Sequence, residues 1–267
     1  MKIISFRGGL GNQVFEYLFY LYLKEMSHEE CIYGYYNHAN SHNGLEISKW
    51  FEVCLPKQPW YISPIRKFIY LLKKIKMHNG VINEHNIRMN AILYEGWWQD
   101  RCYYEHNIGS LRFKDFPITL RNATLRDKMK LEDSVAIHIR RGDYLLPKYA
   151  PIYANICTQE YYNKALNIIR NRLNNPSFYI FSNDQEWSKE NLKIEDACYI
   201  DWNMGNDAFY DMYLMSCCKH HIIANSSFSL IGALMASEKE GINICPSKWV
   251  NDGFFSPNIQ PTNWIKI

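Results

Sequence analysis

Residue spacings that define metal and redox sites are absent from this chain. Its eight cysteines include no Cys-x-x-Cys pair, and two of them, Cys217 and Cys218, are adjacent. Structural zinc sites depend on closely spaced cysteine or histidine pairs, so this pattern argues against one. No Asp-x-Asp sequence occurs either, which removes an obvious carboxylate pair for a divalent cation. We therefore expect no bound metal and reduced thiols.

Long apolar segments are also missing. No window contains 18 uninterrupted apolar residues, and residues 1–6 lead into a glycine-rich motif without the apolar core of a signal peptide. These absences predict a cytoplasmic protein. A basic amphipathic segment at residues 66–76 could make peripheral contact with the anionic inner face of a membrane. The alternative is a solvated helix whose apolar side packs on the core.

Charge of one sign does not dominate the chain. The 267 residues carry a net charge of +3, and most lysines and arginines are dispersed, which argues against a nucleic-acid partner. A hydrophobic fraction of 47% suits a globular protein with one large domain or two modest ones. The sequence shows no internal repeat and no low-complexity segment.

The stretch at residues 135–144 holds the densest group of side chains able to bind a ligand or take part in a reaction. Branched apolar residues alternate there with smaller or polar ones, which predicts a half-buried strand with His138 and Arg140 on one face. Strand ends of open α/β sheets commonly bind ligands, and the planar fork of an arginine suits a phosphate. The alternative is a surface ion pair between Arg141 and Asp143.

A second candidate site lies near the start of the chain. Residues 2–7 are a predicted strand, and the turn Gly-Gly-Leu-Gly-Asn-Gln at residues 8–13 leads into an apolar helix. Backbone amides at a helix N-terminus attract anions, and the amides of Asn12 and Gln13 can bond sugar hydroxyls or a phosphate. The spacing matches neither the dinucleotide-binding nor the Walker A pattern. A purely structural glycine turn is the alternative.

Paired tryptophans suggest a place for a sugar. Trp97 and Trp98 are adjacent, with Glu95 and Gln99 beside them. Indole faces stack on the C–H faces of sugars, while carboxylates and amides bond the hydroxyls. Two adjacent tryptophans also serve as core or surface anchors, which is the alternative interpretation.

The second half of the chain has the pattern of a parallel sheet. Residues 131–246 alternate predicted strands and helices, which is typical of right-handed crossovers. Asp184 follows one predicted strand, and the serine-rich segment at residues 225–229 follows another and begins a helix. Hydroxyls and amides at a positive helix end suit an anion. A nucleoside diphosphate bound across the sheet accounts for these groups together.

Four motifs occur here in the order seen in the α-1,2-fucosyltransferases, glycosyltransferase family 11, which this chain resembles from about residue 3 to residue 250. They are Gly-Gly-Leu-Gly-Asn-Gln (8–13), His-Ile-Arg-Arg-Gly-Asp-Tyr (138–144), Phe-Ser-Asn-Asp (181–184) and Ile-Ile-Ala-Asn-Ser-Ser-Phe-Ser (222–229). The resemblance implies an α/β fold of GT-B type, with two Rossmann-like halves facing each other across a cleft. Residues 1–130 would form the acceptor-side domain and residues 131–267 the domain that binds GDP-fucose.

The resemblance also implies an activity and its residues. The activity is metal-independent, inverting transfer of L-fucose from GDP-L-fucose, a co-substrate, to the 2-hydroxyl of galactose in an oligosaccharide or lipid-linked glycan. The implied catalytic residues are Arg140, His138 and Asp143. The implied donor-binding residues are Gly9, Gly11, Asn12, Gln13, Arg141, Ser182, Asp184, Asn225, Ser226, Ser227 and Phe228. Those proposed to bind the acceptor are Glu95, Trp97, Trp98 and Gln99.

The charges suggest how the reaction would proceed. Arg140 and the serine-rich helix end would stabilise the departing diphosphate, and a base must accept the acceptor proton. Asp143, His138 and Glu95 are the candidates, with Asp143 favoured. The family commonly has Trp-Trp-Gly-Ala after the last motif, where this chain has Leu-Ile-Gly-Ala at residues 230–233, so local packing and acceptor selectivity could differ. A fucosyltransferase of another linkage and a non-catalytic carbohydrate-binding protein are the alternative functions.

Overall fold

The computed structural model describes residues 1–35, 43–74, 81–82, 91–238 and 240–267, which fall into two compact units, Met1–Asp115 and Phe116–Ile267. In the first unit the elements are β1 (Lys2–Phe6), α1 (Leu10–Ser27), β2 (Cys31–Tyr35), α2 (Ile47–Trp50), α3 (Ile62–Lys74), β3 (Val81–Ile82), β4 (Leu93–Tyr94), α4 (Arg101–Tyr104) and a 3-10 turn (Ile108–Ser110).

The first unit is built on a parallel sheet with the strand order β2-β1-β4-β3. From β1 the chain first adds β2 on one side and later adds β3 and β4 on the other. The strand order therefore reverses between β1 and β4, and open α/β sheets bind ligands beyond the carboxyl ends of strands at such a reversal. The glycine turn follows β1 and Glu95 follows β4, so both come to this edge.

The second unit continues with a longer set of elements. They are α5 (Leu120–Leu131), β5 (Ser134–Ile139), a 3-10 turn (Gly142–Leu145), α6 (Ala150–Tyr153), α7 (Gln159–Arg172), β6 (Ser177–Ser182), α8 (Gln185–Leu192), β7 (Cys198–Ile200), a 3-10 turn (Gly205–Asp207), α9 (Phe209–Cys217), β8 (His220–Ile222), α10 (Ser227–Leu234), β9 (Asn243–Cys245) and β10 (Ile265–Lys266). The six strands pair in parallel in the order β10-β9-β8-β5-β6-β7.

Strand β5 lies in the middle of this sheet, and all six of its residues are buried. Val135, Ile137 and Ile139 pack with residues of α7 and α8 in one core cluster, and Ala136 packs with residues of α9 in another. The predicted alternation of faces is correct, but the prediction of a half-buried strand is wrong. Helices cover both faces of a parallel sheet, so even the face of Ala136 and His138 is removed from water.

Helix α5 belongs to the second unit, whereas a division at residue 130 would assign it to the first. Its buried Asn122 donates through Nδ2 to Oδ1 of Asn203 (2.9 Å) and accepts from Nε1 of Trp202 (2.7 Å). Met129, near its end, is fully buried against the core that backs β5. The helix is mostly polar, so its sequence gives little sign of which core it joins.

Both units are α/β structures with parallel sheets, which confirms the predicted GT-B fold class. Within the described residues, no helix is both long and apolar enough to cross a membrane. The eight cysteines are all free thiols.

Candidate functional site

The second unit gathers its polar groups at the point where the strand order of its sheet reverses. The chain proceeds from β5 outward to β6 and β7, and then returns to the other side of β5 with β8. The segments that follow β5 and β8 are consequently neighbours, and they touch. The hydroxyl of Tyr144 donates to the carbonyl of Asn225 (2.9 Å), and the ring centroids of His138 and Phe228 lie 6.1 Å apart. This edge is the expected place for a ligand in an open parallel sheet.

Arg140 leaves the end of β5 with its guanidinium about one third exposed and paired with Asp143. Nη2 of Arg140 donates to Oδ2 of Asp143 at 2.9 Å, and Nε lies 2.8 Å from Oδ1. The guanidinium also lies over the ring of Tyr144, 5.7 Å from its centroid. The predicted structural partner of Asp143 was Arg141, and this is wrong, because Arg140 holds the carboxylate. The pair presents a planar, oriented cation at the strand end.

Arg141 points to the neighbouring strand end instead. Its Nε lies 3.1 Å from Oδ2 of Asp184, and its guanidinium stacks over Trp187 at 4.3 Å. Its backbone N–H donates to Oδ1 of Asn183 (2.9 Å). Asp184 also caps α8 by accepting from the backbone N–H of Trp187. Ser182 accepts from the backbone N–H of Asp184 (2.9 Å). The structure therefore ties the ends of β5 and β6 together.

His138 lies behind Arg140, with its side chain 5% exposed. Burial, together with the positive charge of Arg140, lowers the pKa of His138 to about 3. The ring is neutral at physiological pH and is a poor proton acceptor, so the suggestion that His138 is the base is not supported. Its Nδ1 is buried and has no hydrogen-bond partner among the described residues. Such a group is available to a ligand at the strand end.

Helix α10 follows β8, which pairs directly with β5, so its N-terminus reaches the same edge of the sheet as Arg140. Among the described residues no side chain caps it, so the first amides of the helix keep the partial positive charge of the dipole. Ser227 and Phe228 are half-buried at this end, and Ser226 is buried at the N-cap. The combination of Arg140 and an uncapped helix end suits a diphosphate.

The side chain of Asn225 is buried and bonded to other segments of the second unit. Its side chain is 2% exposed and donates to the carbonyls of Tyr153 (3.3 Å) and Trp249 (3.2 Å), while its Oδ1 lies 3.6 Å from Sγ of Cys157. The amide therefore holds three separate segments at the end of β8. The side chain of Asn225 thus has a structural role, and its predicted part in donor binding stays a prediction.

The glycine turn of the first unit is close-packed. Gly8 has a φ of +74°, and a Cβ there would lie 2.9 Å from Nδ2 of Asn12 and 3.0 Å from the ring of Trp97. Arg7 stacks over Trp97 at 4.3 Å, and Nε2 of Gln99 donates to Oδ1 of Asn12 (2.8 Å). The structure thus brings the glycine turn together with two of the predicted acceptor-binding residues. Gly9 is the half-buried N-cap of α1.

Two predicted donor-binding residues of this turn are buried within the first unit. The buried amide of Gln13 donates to the carbonyls of Gly8 and Gly44, both at 2.8 Å, and accepts from the backbone N–H groups of Glu46 and Ile47. Gly11 lies inside α1 and is buried. The side chain of Gln13 is therefore engaged within the fold, and the donor-binding roles of Gln13 and Gly11 stay predictions.

Trp98 and Glu95 also differ from their predicted roles. Trp98 is fully buried and stacks on Phe19 with ring centroids 3.8 Å apart, so it is a core residue and no sugar platform. Glu95 accepts from Nε of Arg66 (2.8 Å) and from the hydroxyl of Tyr70. Burial raises the pKa of this carboxyl, but the bonds from Tyr70 and Arg66 outweigh it and hold the pKa below its usual value. A carboxylate held in this way is a weak base.

Sequence reasoning missed Asn183, Trp187 and Arg7. Asn183 lies in a motif already singled out, but its contact with the backbone of Arg141 depends on the register of two strands. The absence of metal remains a prediction, and the described residues include no group of three or more His, Cys, Asp or Glu side chains suited to a metal ion.

Comparison with known proteins places this geometry in a class. The chain is similar to NodZ, an α-1,6-fucosyltransferase from Bradyrhizobium solved in the presence of GDP, with a TM-score of 0.53 and 13% identity over 88% of this chain and 91% of the other. This likeness shows the fold alone. The protein is thus a GT-B-type α/β protein with an anion-suited strand edge.

Similarity in sequence identifies the family of the protein. The model of glycosyl transferase family 11 matches residues 89–267. An α-1,2-colitosyltransferase of Escherichia coli is 31% identical, with 100% of this chain and 99% of that protein aligned. Galactoside α-(1,2)-fucosyltransferase 2 of Rattus norvegicus is 24% identical over 88% of this chain and 67% of that protein. The chain belongs to glycosyltransferase family 11, and it is a glycosyltransferase.

Proposed function

We propose that this glycosyltransferase moves L-fucose from GDP-L-fucose to the 2-hydroxyl of a galactose residue in a glycan. The proposal rests on the placement of Arg140 and of the N-terminus of α10, which has no side-chain cap, at the reversal point of the second sheet. A guanidinium fork and the amides of a helix N-terminus together match the two phosphates of a nucleoside diphosphate. The α-1,2 linkage is supported by the names of the sequence relatives.

The chemistry follows from where charge develops. The 2-hydroxyl oxygen of the acceptor forms a bond to C1 of fucose on the face opposite the phosphate, and the bond from C1 to the β-phosphate oxygen breaks. GDP leaves with the electron pair, and Arg140 and the amides of α10 neutralise its growing charge. The proton of the hydroxyl passes to a base, and Asp143 is the proposed base because His138 and Glu95 are poor proton acceptors here.

The first unit would hold the acceptor. Trp97 and Gln99 lie at the sheet edge with Asn12, and Trp97 is half-buried. The exposed part of the indole and the amides of Asn12 and Gln99 suit the apolar face and the hydroxyls of a sugar. Trp98 and Glu95 would support this edge without contacting the sugar.

The test measures GDP release from GDP-L-fucose with a panel of β-galactosides, followed by NMR of the product to establish the linkage. Arg140→Ala should reduce turnover by about 100-fold or more, because one donor aimed at developing charge contributes that much. Arg172→Ala, which removes an exposed arginine at the end of α7, is the control and should leave the rate unchanged. A near wild-type rate in Arg140→Ala would contradict the proposal, and sugar binding without affinity for GDP would identify a non-catalytic carbohydrate-binding protein.

A second donor is favoured by one observation. The relative that aligns over the entire chain is named as an α-1,2-colitosyltransferase. Colitose is fucose without the 3-hydroxyl group, so the two sugars differ away from the bond to phosphate and the proposed diphosphate site suits a GDP-linked form of either. Parallel assays with GDP-fucose and GDP-colitose at equal concentration decide between them through the ratio of kcat/KM values.

A further inference from the structure

Helix α3 and the residues before it carry positive charge without negative charge. Residues 53–74 contain five lysines and arginines and no aspartate or glutamate. The whole chain has a net charge of +3, so the other residues taken together are net negative. The net charge of this one segment, +5, therefore exceeds that of the whole chain.

One face of α3 is anchored to the sheet of the first unit. Ile62 and Ile69 are buried, and with the partly buried Ile65 they pack in a cluster that includes Ile3 and Leu93. The spacing of three and four residues places these isoleucines on one side of the helix. The predicted alternative for residues 66–76, a helix with its apolar side on the core, is therefore correct for this face as far as Lys74, and residues 75–76 lie outside the described part.

The opposite face exposes large apolar side chains. Phe68 is 60% exposed and Leu71 is 55% exposed, while Trp60, just before the helix, is 86% exposed. Lys67 and Lys74 are also exposed, and each lies one helical turn from Leu71. Three strongly exposed large apolar side chains within one short segment are unusual in a soluble protein, and exposed apolar patches commonly mark a binding site. We call these five residues the α3 surface.

We propose that the α3 surface binds an anionic lipid membrane. A tryptophan just before a helix, with exposed apolar side chains and lysines along the helix, is typical of helices that lie in the plane of a membrane interface. The apolar groups would enter the boundary between headgroups and acyl chains, and the lysines would meet lipid phosphates. The absence of acidic residues from this segment is the charge complementarity that favours an anionic lipid over a protein of mixed charge.

The same helix is bonded to the acceptor-side edge of the sheet. Arg66 and Tyr70 hold the carboxylate of Glu95, which follows β4 and precedes Trp97. Membrane binding through α3 would therefore bring this edge to the lipid. If the proposed function is correct, the arrangement suits an acceptor glycan carried on a lipid.

The test is flotation of the full-length protein with vesicles of phosphatidylcholine alone and of phosphatidylcholine mixed with phosphatidylglycerol. We expect binding to the anionic vesicles that weakens as salt rises. Replacing Lys67 and Lys74 by Gln should weaken binding roughly 25-fold, since each lysine near an anionic surface contributes about fivefold. Replacing Phe68 and Leu71 by Ser should weaken it by about tenfold or more. Brominated lipids should quench wild-type fluorescence more than that of Trp60→Phe.

Matched controls distinguish binding through the α3 surface from non-specific adsorption to vesicles. Leu131→Ser removes an 86% exposed leucine elsewhere, and Lys164→Gln removes an exposed lysine of α7; neither should change binding. Absence of binding to anionic vesicles, or equal binding by all variants, overturns the proposal. A dimer that the Phe68 and Leu71 replacements dissociate in light scattering would instead assign the surface to a second copy of the chain. Vesicle binding does not depend on catalysis, so it can fail or succeed independently of the proposed reaction.

Discussion

Arg140 and Asp143 form a close pair at the end of β5, with Nη2 2.9 Å from Oδ2 and Nε 2.8 Å from Oδ1. Both groups are only partly exposed, so the pair holds the guanidinium in a defined orientation before any ligand arrives. A diphosphate would replace the carboxylate as the partner of the fork, and the carboxylate would become available to accept a proton. The pair thus links donor binding to the proposed base.

Asp143→Asn tests this link. We expect kcat to fall by about 100-fold or more, because a positioned base contributes that much. The Kd for GDP should stay the same or decrease, because Arg140 loses a competing anion. Isothermal calorimetry with GDP and steady-state kinetics measure the two effects, and Asp133→Asn, at a surface ion pair, is the control. If affinity for GDP falls as much as kcat does, Asp143 only positions the arginine.

Gly142 allows Asn183 to approach the strand end. A Cβ at residue 142 would lie 2.6 Å from Nδ2 of Asn183, so Gly142→Ala must displace that side chain and remove the acceptor for the backbone N–H of Arg141. We expect a loss of about 1 kcal/mol in stability and a rise of about threefold to tenfold in the KM for the donor. Gly109→Ala, where a Cβ would meet nothing within 4 Å, should change neither quantity. An unchanged KM in Gly142→Ala would show that Asn183 does not support donor binding.

Substitutions of the two adjacent tryptophans should have different effects on stability and on the acceptor KM. Trp98→Ala removes a fully buried ring that stacks on Phe19, and we expect a loss of about 3–5 kcal/mol in the free energy of unfolding. Trp97→Ala should cost less stability and raise the acceptor KM by roughly threefold to tenfold, with the donor KM unchanged. Urea denaturation and kinetics on both variants check this contrast. An unaltered acceptor KM in Trp97→Ala would remove that residue from the acceptor site.

Asp211 makes stability depend on pH. Burial raises the pKa of this carboxyl to about 7, against a lowering by the hydrogen bond from Asn203. The folded state therefore binds more protons than the unfolded state between about pH 4 and pH 7, so this contribution to stability is lost as pH rises through 7. Asp211→Asn should be more stable than the wild type at pH 8, by about 1–2 kcal/mol, and nearly equal to it at pH 4. Urea denaturation at both values measures the difference, and an equal effect at the two would contradict it.

The second sheet and the polar groups at its edge could be predicted because both depend on local pattern. Strand β5 alternates apolar and smaller residues, and Arg140 follows directly, so the sequence places the arginine at a strand end without knowledge of the fold. The burial of the second face of β5 depends on helices that come later in the chain, and no pattern within the strand reports it. Helix α8 and strand β10 were not predicted, since one is short and polar and the other has two residues.

Side chains with internal partners were the harder problem. Gln13 and Asn225 look like ligand-binding amides in sequence, yet each bonds backbone groups of segments far along the chain, including Glu46 for the first and Trp249 for the second. The fully buried stack of Trp98 on Phe19 likewise requires the packing of α1 against residues after β4. Contacts between distant segments of the chain decide which polar side chains are left to bind a ligand. These contacts cannot be read from the linear sequence.

The position of Asn225 also bears on how loss-of-function data from this enzyme should be interpreted. One amide joins the segments of Tyr153, Cys157 and Trp249 directly behind the proposed diphosphate pocket. In an activity screen, inactive variants at this residue would resemble variants that have lost a contact with the substrate. The cause would instead be the loss of structure in the wall of the pocket. A thermal melt recorded beside each assay distinguishes the two origins.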